Sequence, residues 1–401
     1  MMSSSSSLTL RRFYRWRSTI DTIPSRKFSS TIQNQDTTTE ERKQSKKSPL
    51  LTNNNELSAI VNSFPTTGLD YAFGYGSGVL KQQSSSAGMV DVILAVDDTY
   101  EWHKQNLEAH PHHYSGFARV GGARFVHWMQ NLGARLYFHP FVDVDINITS
   151  DDGIDVTNQH PTTIQREIKY GIVSTDDLIE DLMCWKYLYL AGRMHKPTVE
   201  IDLIINAEHE EQSIVVNRRD EIAEAQQQNL LAAVSASILI HGGEESNDMT
   251  LPIIQIYNTI AGISYAGDIR MQTGAEDPNK VKKLVETPGM QALWDGMYST
   301  IFNDMQRSGI LTKDDVKLEI DFNDIAMRKQ LIQNLPNRLQ LDEIVGVKDS
   351  ILQGSKLLRA ELARIVAPAA KSQSIKGFFS AGVSKSFKYA MAKFAKGRLK
   401  K

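Results

Sequence analysis

The chain has 401 residues, of which 41% are hydrophobic and 23% are charged, and its formal net charge is −2. This length can hold two folded domains with tails, and the composition is typical of a globular protein. No apolar run approaches the about 18 residues that a membrane-spanning helix requires. The single cysteine, Cys184, excludes an intramolecular disulfide and indicates a reducing compartment.

The N-terminal region combines arginine, serine and aromatic residues. Residues 1–28 hold only one acidic residue, Asp21, and this composition is typical of a mitochondrial transit peptide. A disordered basic N-terminus is the alternative interpretation. Residues 29–55 are rich in Ser, Thr, Asn, Gln and Lys, and predict a disordered linker.

Residues 56–206 predict an α/β domain, because strand-like and helix-like patterns alternate along them. Residues 177–193 carry apolar side chains at helical spacing, with Thr175 or Asp176 as the expected cap. Short branched or aromatic runs predict strands at 90–96, 136–148, 168–173 and 199–205.

Residues 218–345 predict a second, mostly helical domain. Proline residues mark turns or the first turns of helices there. The helix-like segments are 220–240, 253–262, 278–306 and 323–335.

The C-terminal residues 370–401 predict a basic amphipathic helix. Lysines fall on the side opposite an apolar face, and such a helix suits the interface of an anionic membrane. A terminal helix docked on its own domain is the alternative. The apolar face consists of Phe379, Val383, Phe387, Met391 and Phe394.

A glycine-rich segment at residues 73–79 is the first candidate for chemistry. Gly76 and Gly78 allow backbone N–H groups to approach an anion closely, and the hydroxyl of Ser77 can add a hydrogen bond to a phosphate. The segment is neither a Walker loop nor a clear dinucleotide fingerprint. By itself it predicts only a phosphate-binding turn.

Asp91 lies in the apolar run 89–94 that follows this turn. A Gly-Ser turn followed by a strand with an acidic residue is the nucleotidyltransferase arrangement: the turn holds a triphosphate, and the carboxylate holds Mg²⁺. The second carboxylate usual in that superfamily is replaced by Ile93, and Asp97 lies about 20 Å along an extended strand. The remaining candidates are two strand pairs, for which solvated strand edges are the alternative: Asp143 with Asp145, and Glu200 with Asp202.

Several blocks occur in an order that resembles the mitochondrial phosphatidate cytidylyltransferase family, the translocator assembly and maintenance proteins. The resemblance extends from about residue 57 to the C-terminal tail. The blocks are Phe73-Gly74-Tyr75-Gly76-Ser77-Gly78-Val79, Val96-Asp97-Asp98, Trp102-His103, Asn106, His113-Tyr114-Ser115, Lys169-Tyr170-Gly171-Ile172-Val173-Ser174, residues 188–197 and residues 261–271. Ile93 is similar to what that family shows, whereas the acidic segment 143–155 is less typical of it.

The resemblance implies the reaction of CTP with phosphatidate, giving CDP-diacylglycerol and pyrophosphate, on the matrix face of the inner membrane. The product feeds cardiolipin synthesis. The implied fold is an α/β nucleotidyltransferase-like domain followed by a winged-helix-like helical domain and a C-terminal amphipathic helix. The implied cofactor is Mg²⁺. The implied partners are CTP, phosphatidate and anionic inner-membrane lipids, without nucleic acid and without a transmembrane helix.

The site residues expected under this chemistry fall into groups. A dedicated general base is not required, because the phosphate of phosphatidate is largely ionised near neutral pH. For each basic residue alone, a surface charge is the alternative, and for each histidine a structural role. The expected catalytic residues are Asp91, Lys169 and Ser77, with Asp91 on the metal; for CTP they are Tyr75, Gly76, Ser77, Gly78, His103, Asn106 and Tyr114; for phosphatidate they are Arg193, Lys196, Asp268 and Arg270.

Two other functions stay open at this point. One is a nucleotidyltransferase with a soluble acceptor, which would give no reason for the amphipathic C-terminal helix. The other is a non-enzymatic assembly factor for inner-membrane protein import, against which the intact Gly76-Ser77 turn and Asp91 argue.

Overall fold

A five-stranded mixed sheet forms the centre of the α/β region in the computed structural model. The structure describes residues 54–80, 88–148, 162–203, 209–242, 248–268, 271, 277, 279–340 and 351–398, with side chains in the last segment described as far as Ser380. The strand order is β3-β4-β2-β1-β5, in which β2 and β4 are parallel and the other neighbours are antiparallel. The strands are β1 (Leu69–Tyr75), β2 (Val90–Val96), β3 (Tyr137–Ile148), β4 (Thr162–Ser174) and β5 (Val199–Glu200).

Alternation along the strands gives the sheet two different faces. On one face, Phe73 and Ile93 join the larger hydrophobic core. On the other face, Val92 and Leu94 join a second core with Trp102. Asp91 has the same parity as Ile93, so it lies on the face of the larger core.

Helices cover both faces. The helices of the α/β region are α1 (Asn54–Asn62), α2 (Thr99–Ala109), α3 (Gly116–Gln130, with a kink at Gly122), α4 (Thr175–Cys184) and the single turn α5 (Ala191–Met194). Leu57 of α1 packs in the second core. Leu178 and Leu182 of α4 pack in the larger core. The α/β class expected from the sequence is therefore confirmed.

Several boundaries differ from the sequence prediction, and the strand expected over 168–173 spans Thr162–Ser174. The helix expected over 177–193 ends at Cys184, because Trp185 takes a left-handed backbone conformation, and the N-cap is Ser174, whose hydroxyl accepts from the N–H of Asp177. The strand expected over 199–205 is described only as Val199–Glu200, and residues 204 and 205 lie outside the described residues. The strand expected at 90–96 is confirmed at both ends.

The region after residue 208 is mostly helical, as expected. Its helices are α6 (His209–His241), α7 (Ile253–Ile263), α8 (Lys280–Glu286), α9 (Met290–Arg307), α10 (Ile325–Gln333) and α11 (Ile351–Arg398). The single helix expected over 278–306 is two helices, α8 and α9, and Pro288 lies in the turn between them. A small sheet with the order β6-β8-β7 accompanies them, formed by β6 (Asp248–Pro252), β7 (Thr312–Lys313) and β8 (Lys317–Asp321).

The two regions share contacts: α6 packs against β1, and the apolar side chains of both belong to the larger core. The domain boundary expected between residues 206 and 218 stays a prediction. Within the described residues, no helix has the length and apolar character to cross a bilayer.

The first turns of the expected membrane-binding tail pack on the protein itself. In α11, Gln373 donates to the carbonyl of Leu136, and the ammonium of Lys376 donates to the carbonyls of Gln130, Leu132 and Leu136. Phe379 is exposed, whereas the side chains of Val383, Phe387, Met391 and Phe394 lie outside those described.

Candidate active site

The glycine-rich turn lies directly against the carboxylate of Asp91. Tyr75, the last residue of β1, is paired with Asp91 of β2. Gly76 follows with a φ of 80°, a conformation that favours glycine, and a Cβ built on it would lie 3.3 Å from Oδ2 of Asp91. Ser77 is exposed at the tip of the turn. The turn therefore presents its backbone and the Ser77 hydroxyl next to a carboxylate.

Gly78 permits a close approach between this turn and the residue that enters β2. A Cβ on Gly78 would lie 2.1 Å from the carbonyl oxygen of Met89, which is impossible without a backbone shift. The packing of the turn on β2 thus requires glycine at position 78.

Lys169 lies beside Asp91 because β2 and β4 run parallel in register. Its Nζ is 3.5 Å from Oδ1 of Asp91 and 4.3 Å from the ring centroid of Phe138. The side chain of Lys169 is 27% exposed and that of Asp91 is 20% exposed. A partly solvated pair at this distance is a weak contact, so both groups remain available to a ligand.

Arg193 completes the cluster from the short helix α5. Its guanidinium lies over three aromatic rings, 4.4 Å from Tyr75, 5.0 Å from Tyr189 and 5.7 Å from Phe138. One Nη donates to the hydroxyl of Tyr189, while Nε has no hydrogen-bond partner among the residues that the structure describes. Burial acts to lower the pKa of Arg193, but Tyr75, Tyr189 and Asp91 more than offset it and the pKa is raised. Arg193 is therefore a permanent positive charge with an unused donor.

The segment that carries Arg193 is held by one buried carboxylate. Asp181 of α4 accepts hydrogen bonds from the backbone N–H groups of five consecutive residues. Since five donors converge on two oxygens, the path of the chain into α5 is closely determined. The five donors are Tyr187, Leu188, Tyr189, Leu190 and Ala191.

Lys196 extends the positive charge toward the helical region. Its Nζ donates to the carbonyl of Gly192 and to the hydroxyl of Ser264, and lies 4.9 Å from the ring of Tyr265. Lys280 reaches the same ring at 5.4 Å. Burial, and then the charges of Arg193 and Lys280, hold the pKa of Lys196 well below its usual range. A bound anion would relieve this repulsion.

Two further residues were expected to bind phosphatidate. Asp268 is buried, three residues after Tyr265, whose ring Lys196 contacts. Arg270 lies outside the described residues. The structure thus brings together Tyr75, Gly76, Asp91, Lys169 and Arg193, and Lys196 follows Arg193 by three residues, just after α5. Positive and aromatic groups around one carboxylate are suited to a nucleotide triphosphate.

The other three residues expected to bind CTP lie on the opposite face of the sheet. His103, Asn106 and Tyr114 are buried and belong to one hydrogen-bond network. The imidazole of His103 is hydrogen-bonded to the Tyr114 hydroxyl and to the side chain of Gln130. Asn106 donates to the hydroxyls of Tyr114 and Tyr170. Burial lowers the pKa of His103 to about 4, so its imidazole is neutral at pH 7. The structure does not bring these residues to Asp91, and their contact with CTP stays a prediction.

Comparison with known proteins identifies the family to which the chain belongs. A family model described as mitochondrial phosphatidate cytidylyltransferase matches residues 57–396. The chain is 33% identical to the mitochondrial phosphatidate cytidylyltransferase of Bos taurus, over 84% of this chain and 92% of that protein. The chain belongs to the mitochondrial phosphatidate cytidylyltransferase family. The proteins of the same name from Schizosaccharomyces pombe and Caenorhabditis elegans are 30% and 29% identical, over 86% and 85% of this chain and 84% and 98% of their own lengths.

The acidic residues considered as second metal ligands lie on the two edge strands of the sheet or directly after them: Asp143 and Asp145 on β3, Glu200 on β5 and Asp202 just after β5. Asp143 is paired with Glu167, which shares the parity of Lys169, so Asp143 and Glu167 lie on the Asp91 face. Both are exposed. Glu200 is paired with Phe73 on the far side of β1, and Asp202 is 3.5 Å from the side-chain nitrogen of Asn54. Strand pairing therefore leaves Glu200 on the Asp91 face as well, together with Asp143, Asp145 and Glu167.

The residues present fit a magnesium ion. Mg²⁺ in nucleotide sites is commonly held by one or two carboxylates together with substrate phosphates. Asp91 supplies one carboxylate beside a turn whose glycine leaves space at its oxygen. The ammonium group of Lys169 lies 3.5 Å from Oδ1 of Asp91, so a positive charge is already accommodated beside this carboxylate.

Sequence reasoning missed Phe138, Tyr189, Asp181 and Lys280. Phe138 lies on β3 and no sequence pattern links it to Arg193, whereas Tyr189 lies only four residues before Arg193, in the block 188–197. Asp181 carried a usable signal, because an acidic residue between Leu178 and Leu182 lies on the apolar side of a helix. Lys280 is distant from Lys196 in the sequence, and the two come close only because both pack on the ring of Tyr265.

Proposed function

We propose that this protein transfers CMP from CTP to phosphatidate, giving CDP-diacylglycerol and pyrophosphate. The observation that carries the proposal is the convergence of the Gly76 turn, Asp91, Lys169 and Arg193 on one side of the sheet, in a chain that belongs to this family.

The N–H groups of the turn and the hydroxyl of Ser77 bind the triphosphate in this proposal. Lys169 and Arg193 neutralise its charge, and the Arg193 Nε is a donor ready for a phosphate oxygen. Tyr75 and Phe138 keep the two cations in place through their rings. Asp91, with Asp143 or Glu167 as further candidates, would hold Mg²⁺, which supplies charge neutralisation at the phosphates.

The chemical step is an in-line displacement. An oxygen of the phosphatidate phosphate attacks the α-phosphorus of CTP, and the bond to pyrophosphate breaks with its electron pair leaving on pyrophosphate. The attacking oxygen is already ionised, so positioning and charge neutralisation supply the catalysis.

The second phosphate-binding region in the proposal is formed by Arg193, Lys196, Asp268 and Arg270, and Lys280 joins it. Arg193 connects the two regions. It belongs to the cluster around Asp91, and Lys196 follows it by three residues, just after the end of α5. The cations are suited to the phosphatidate phosphate, and Asp268 would orient them.

The finer architecture and location belong to the same proposal. The helices after residue 208 and the sheet β6-β8-β7 support a winged-helix-like second domain. We also propose that the C-terminal tail binds anionic lipids and that the enzyme acts on the matrix side of the mitochondrial inner membrane, where its product feeds cardiolipin synthesis. The names of its relatives support a mitochondrial location.

The test is an assay with purified full-length protein, radiolabelled CTP, Mg²⁺ and phosphatidate vesicles. We expect labelled CDP-diacylglycerol from the wild type and a severe loss in Asp91→Ala and Ser77→Ala. Label on a soluble acceptor in place of lipid would replace the proposal by a different transferase. No product with any acceptor would favour an assembly role without catalysis.

A further inference from the structure

The helix α3 and the residue two positions after it expose large apolar side chains that nothing in the described structure covers. The exposed fractions are 64% for Phe117, 93% for Val120, 56% for Trp128 and 40% for Leu132. We call these four residues the α3 surface. The buried side of the same helix, with Ala118, packs in a small core of its own. Four large exposed apolar residues within sixteen positions are far more than the scattered ones of an ordinary surface.

The chain segment that carries the α3 surface has charge of one sign, although Glu108 of α2 lines one surface pocket with Arg119 and Gly122. Residues 109–142 contain no aspartate or glutamate. Arg119 and Arg124 of α3 are both exposed among the apolar residues. An apolar surface with a tryptophan and flanking arginines, on a segment without acidic residues, is complementary to the interface of a bilayer with anionic lipids.

The C-terminal helix continues this surface. Lys376 of α11 bonds to the carbonyls of Gln130 and Leu132, so α11 is attached at the end of α3. Near that junction α11 exposes Ile375 and Phe379, at 53% and 44%. The apolar exposure of α3 and that of α11 therefore adjoin each other.

We propose that the α3 surface is a membrane-contact surface that inserts Phe117, Val120, Trp128 and Leu132 into an anionic phospholipid bilayer, with Arg119 and Arg124 at the headgroups. The positive charges of Arg119 and Arg124 favour a partner surface that is negatively charged, such as a bilayer with anionic lipids. The proposal goes beyond the C-terminal tail, since it places a second contact on the α/β region.

In one respect this inference rests on the proposed function, because phosphatidate is itself a membrane lipid. Binding is therefore measured apart from activity, so that the two proposals fail separately.

Tryptophan fluorescence provides a direct measurement. Trp128 is exposed, whereas Trp102, Trp185 and Trp294 are buried. In full-length Trp16→Phe protein, we expect vesicles of phosphatidylglycerol with brominated phosphatidylcholine to quench the emission, and Trp128→Phe to remove most of that quenching. Equal quenching in both proteins, or none in either, would overturn the proposal.

Vesicle sedimentation tests the surface with matched variants. Val120→Asp should weaken pelleting with phosphatidylglycerol vesicles at least about tenfold, and Arg124→Gln about fivefold. The control is Val316→Asp, which alters another highly exposed valine, at 71%, away from α3. Loss in the control equal to that in Val120→Asp would contradict a specific surface.

Analytical ultracentrifugation without vesicles tests whether a second copy of the chain covers the α3 surface. A change of mass caused by Val120→Asp would show that it does and would overturn the proposal.

Turnover with two forms of the substrate tests the surface in the enzyme. With phosphatidate in vesicles, Val120→Asp should lower turnover, while turnover of a soluble short-chain phosphatidate stays at the wild-type value. If wild type converted neither substrate, the proposed function would fail, and the quenching result would still decide on the surface.

Discussion

The two faces of the five-stranded sheet use similar residue types in opposite ways. On one face, Asp91 and Lys169 are partly solvated and only loosely paired, and the guanidinium of Arg193 lies over the ring of Tyr75. On the other, His103, Asn106, Tyr114 and Tyr170 are buried and hydrogen-bonded to each other, with a neutral imidazole.

The difference indicates what each face is for. Loosely paired charges at a solvent-accessible turn retain free energy for binding a ligand, whereas a satisfied buried network stabilises the fold. Variants on the first face should change activity with little effect on stability, and variants on the second should do the reverse.

Asp91→Ala should have the largest effect. We expect turnover to fall about a thousandfold, because the variant loses the carboxylate proposed to hold Mg²⁺, and with it several kcal/mol of charge stabilisation. The melting temperature should change little, since Asp91 is paired only at 3.5 Å with a partly exposed lysine. Turnover is measured by CDP-diacylglycerol formation and stability by thermal unfolding.

The control for Asp91 is Asp97→Ala, an exposed acid after the other end of β2, which should keep wild-type turnover. An equal loss in the two variants would remove the special role of Asp91.

His103 should make the buried face sensitive to acid. Its folded pKa, about 4, lies below the usual 6.5 because of burial. Below pH 6.5 the unfolded chain binds the proton first, so the contribution to stability is complete above 6.5 and is lost as the pH falls to 4. Over this window the wild type should lose roughly 3 kcal/mol more than His103→Gln. Denaturant unfolding at several pH values measures this, and parallel curves for the two proteins would disprove it.

Arg193→Met should lower turnover about a hundredfold, as is typical for the loss of one donor to developing charge. The aromatic rings around position 193 accept the methionine side chain, so unfolding should change much less than turnover. Arg307→Met, an exposed arginine of α9, is the control and should be neutral in the same assay. Unaltered turnover in Arg193→Met would take Arg193 out of the site.

Asn106→Ala should destabilise the protein by about 2 kcal/mol, because two buried tyrosine hydroxyls lose a donor. Turnover per folded molecule should stay near wild type, with an unchanged KM for CTP. Asn303→Ala, at an exposed position of α9, controls for the substitution itself. A raised KM for CTP without destabilisation would instead confirm the CTP contact expected from the sequence.

Gly76→Ala should have the smallest effect on stability, about 1 kcal/mol, from a left-handed φ of 80°. It should raise the KM for CTP more than it lowers the melting temperature, because the new Cβ lies 3.3 Å from the Asp91 carboxylate. Gly296→Ala in α9 is the matched control: its Cβ meets nothing within 4 Å, so that variant should be slightly more stable. Identical behaviour of the two alanines would contradict the role of the turn.

The local pattern of the chain was enough to predict several parts of this protein. The strand at 90–96, the Gly76-Ser77 turn before it and the mostly helical second half follow from periodicity and glycine placement, which are properties of neighbouring residues. The family resemblance came from the same local blocks. Lys169 and Arg193 were expected at the site because they carry charges that suit phosphates.

Only the tertiary structure decided which of these residues meet. The parallel pairing of β2 with β4 places Lys169 beside Asp91, and strand alternation sends Tyr170, one residue later, to the opposite face with His103 and Asn106. Phe138 and Lys280 join the charged cluster through long-range packing that has no local sequence signature, whereas Tyr189 is only four residues from Arg193. A residue's type is thus readable from the sequence, whereas its face and partners depend on strand pairing and burial across the whole chain.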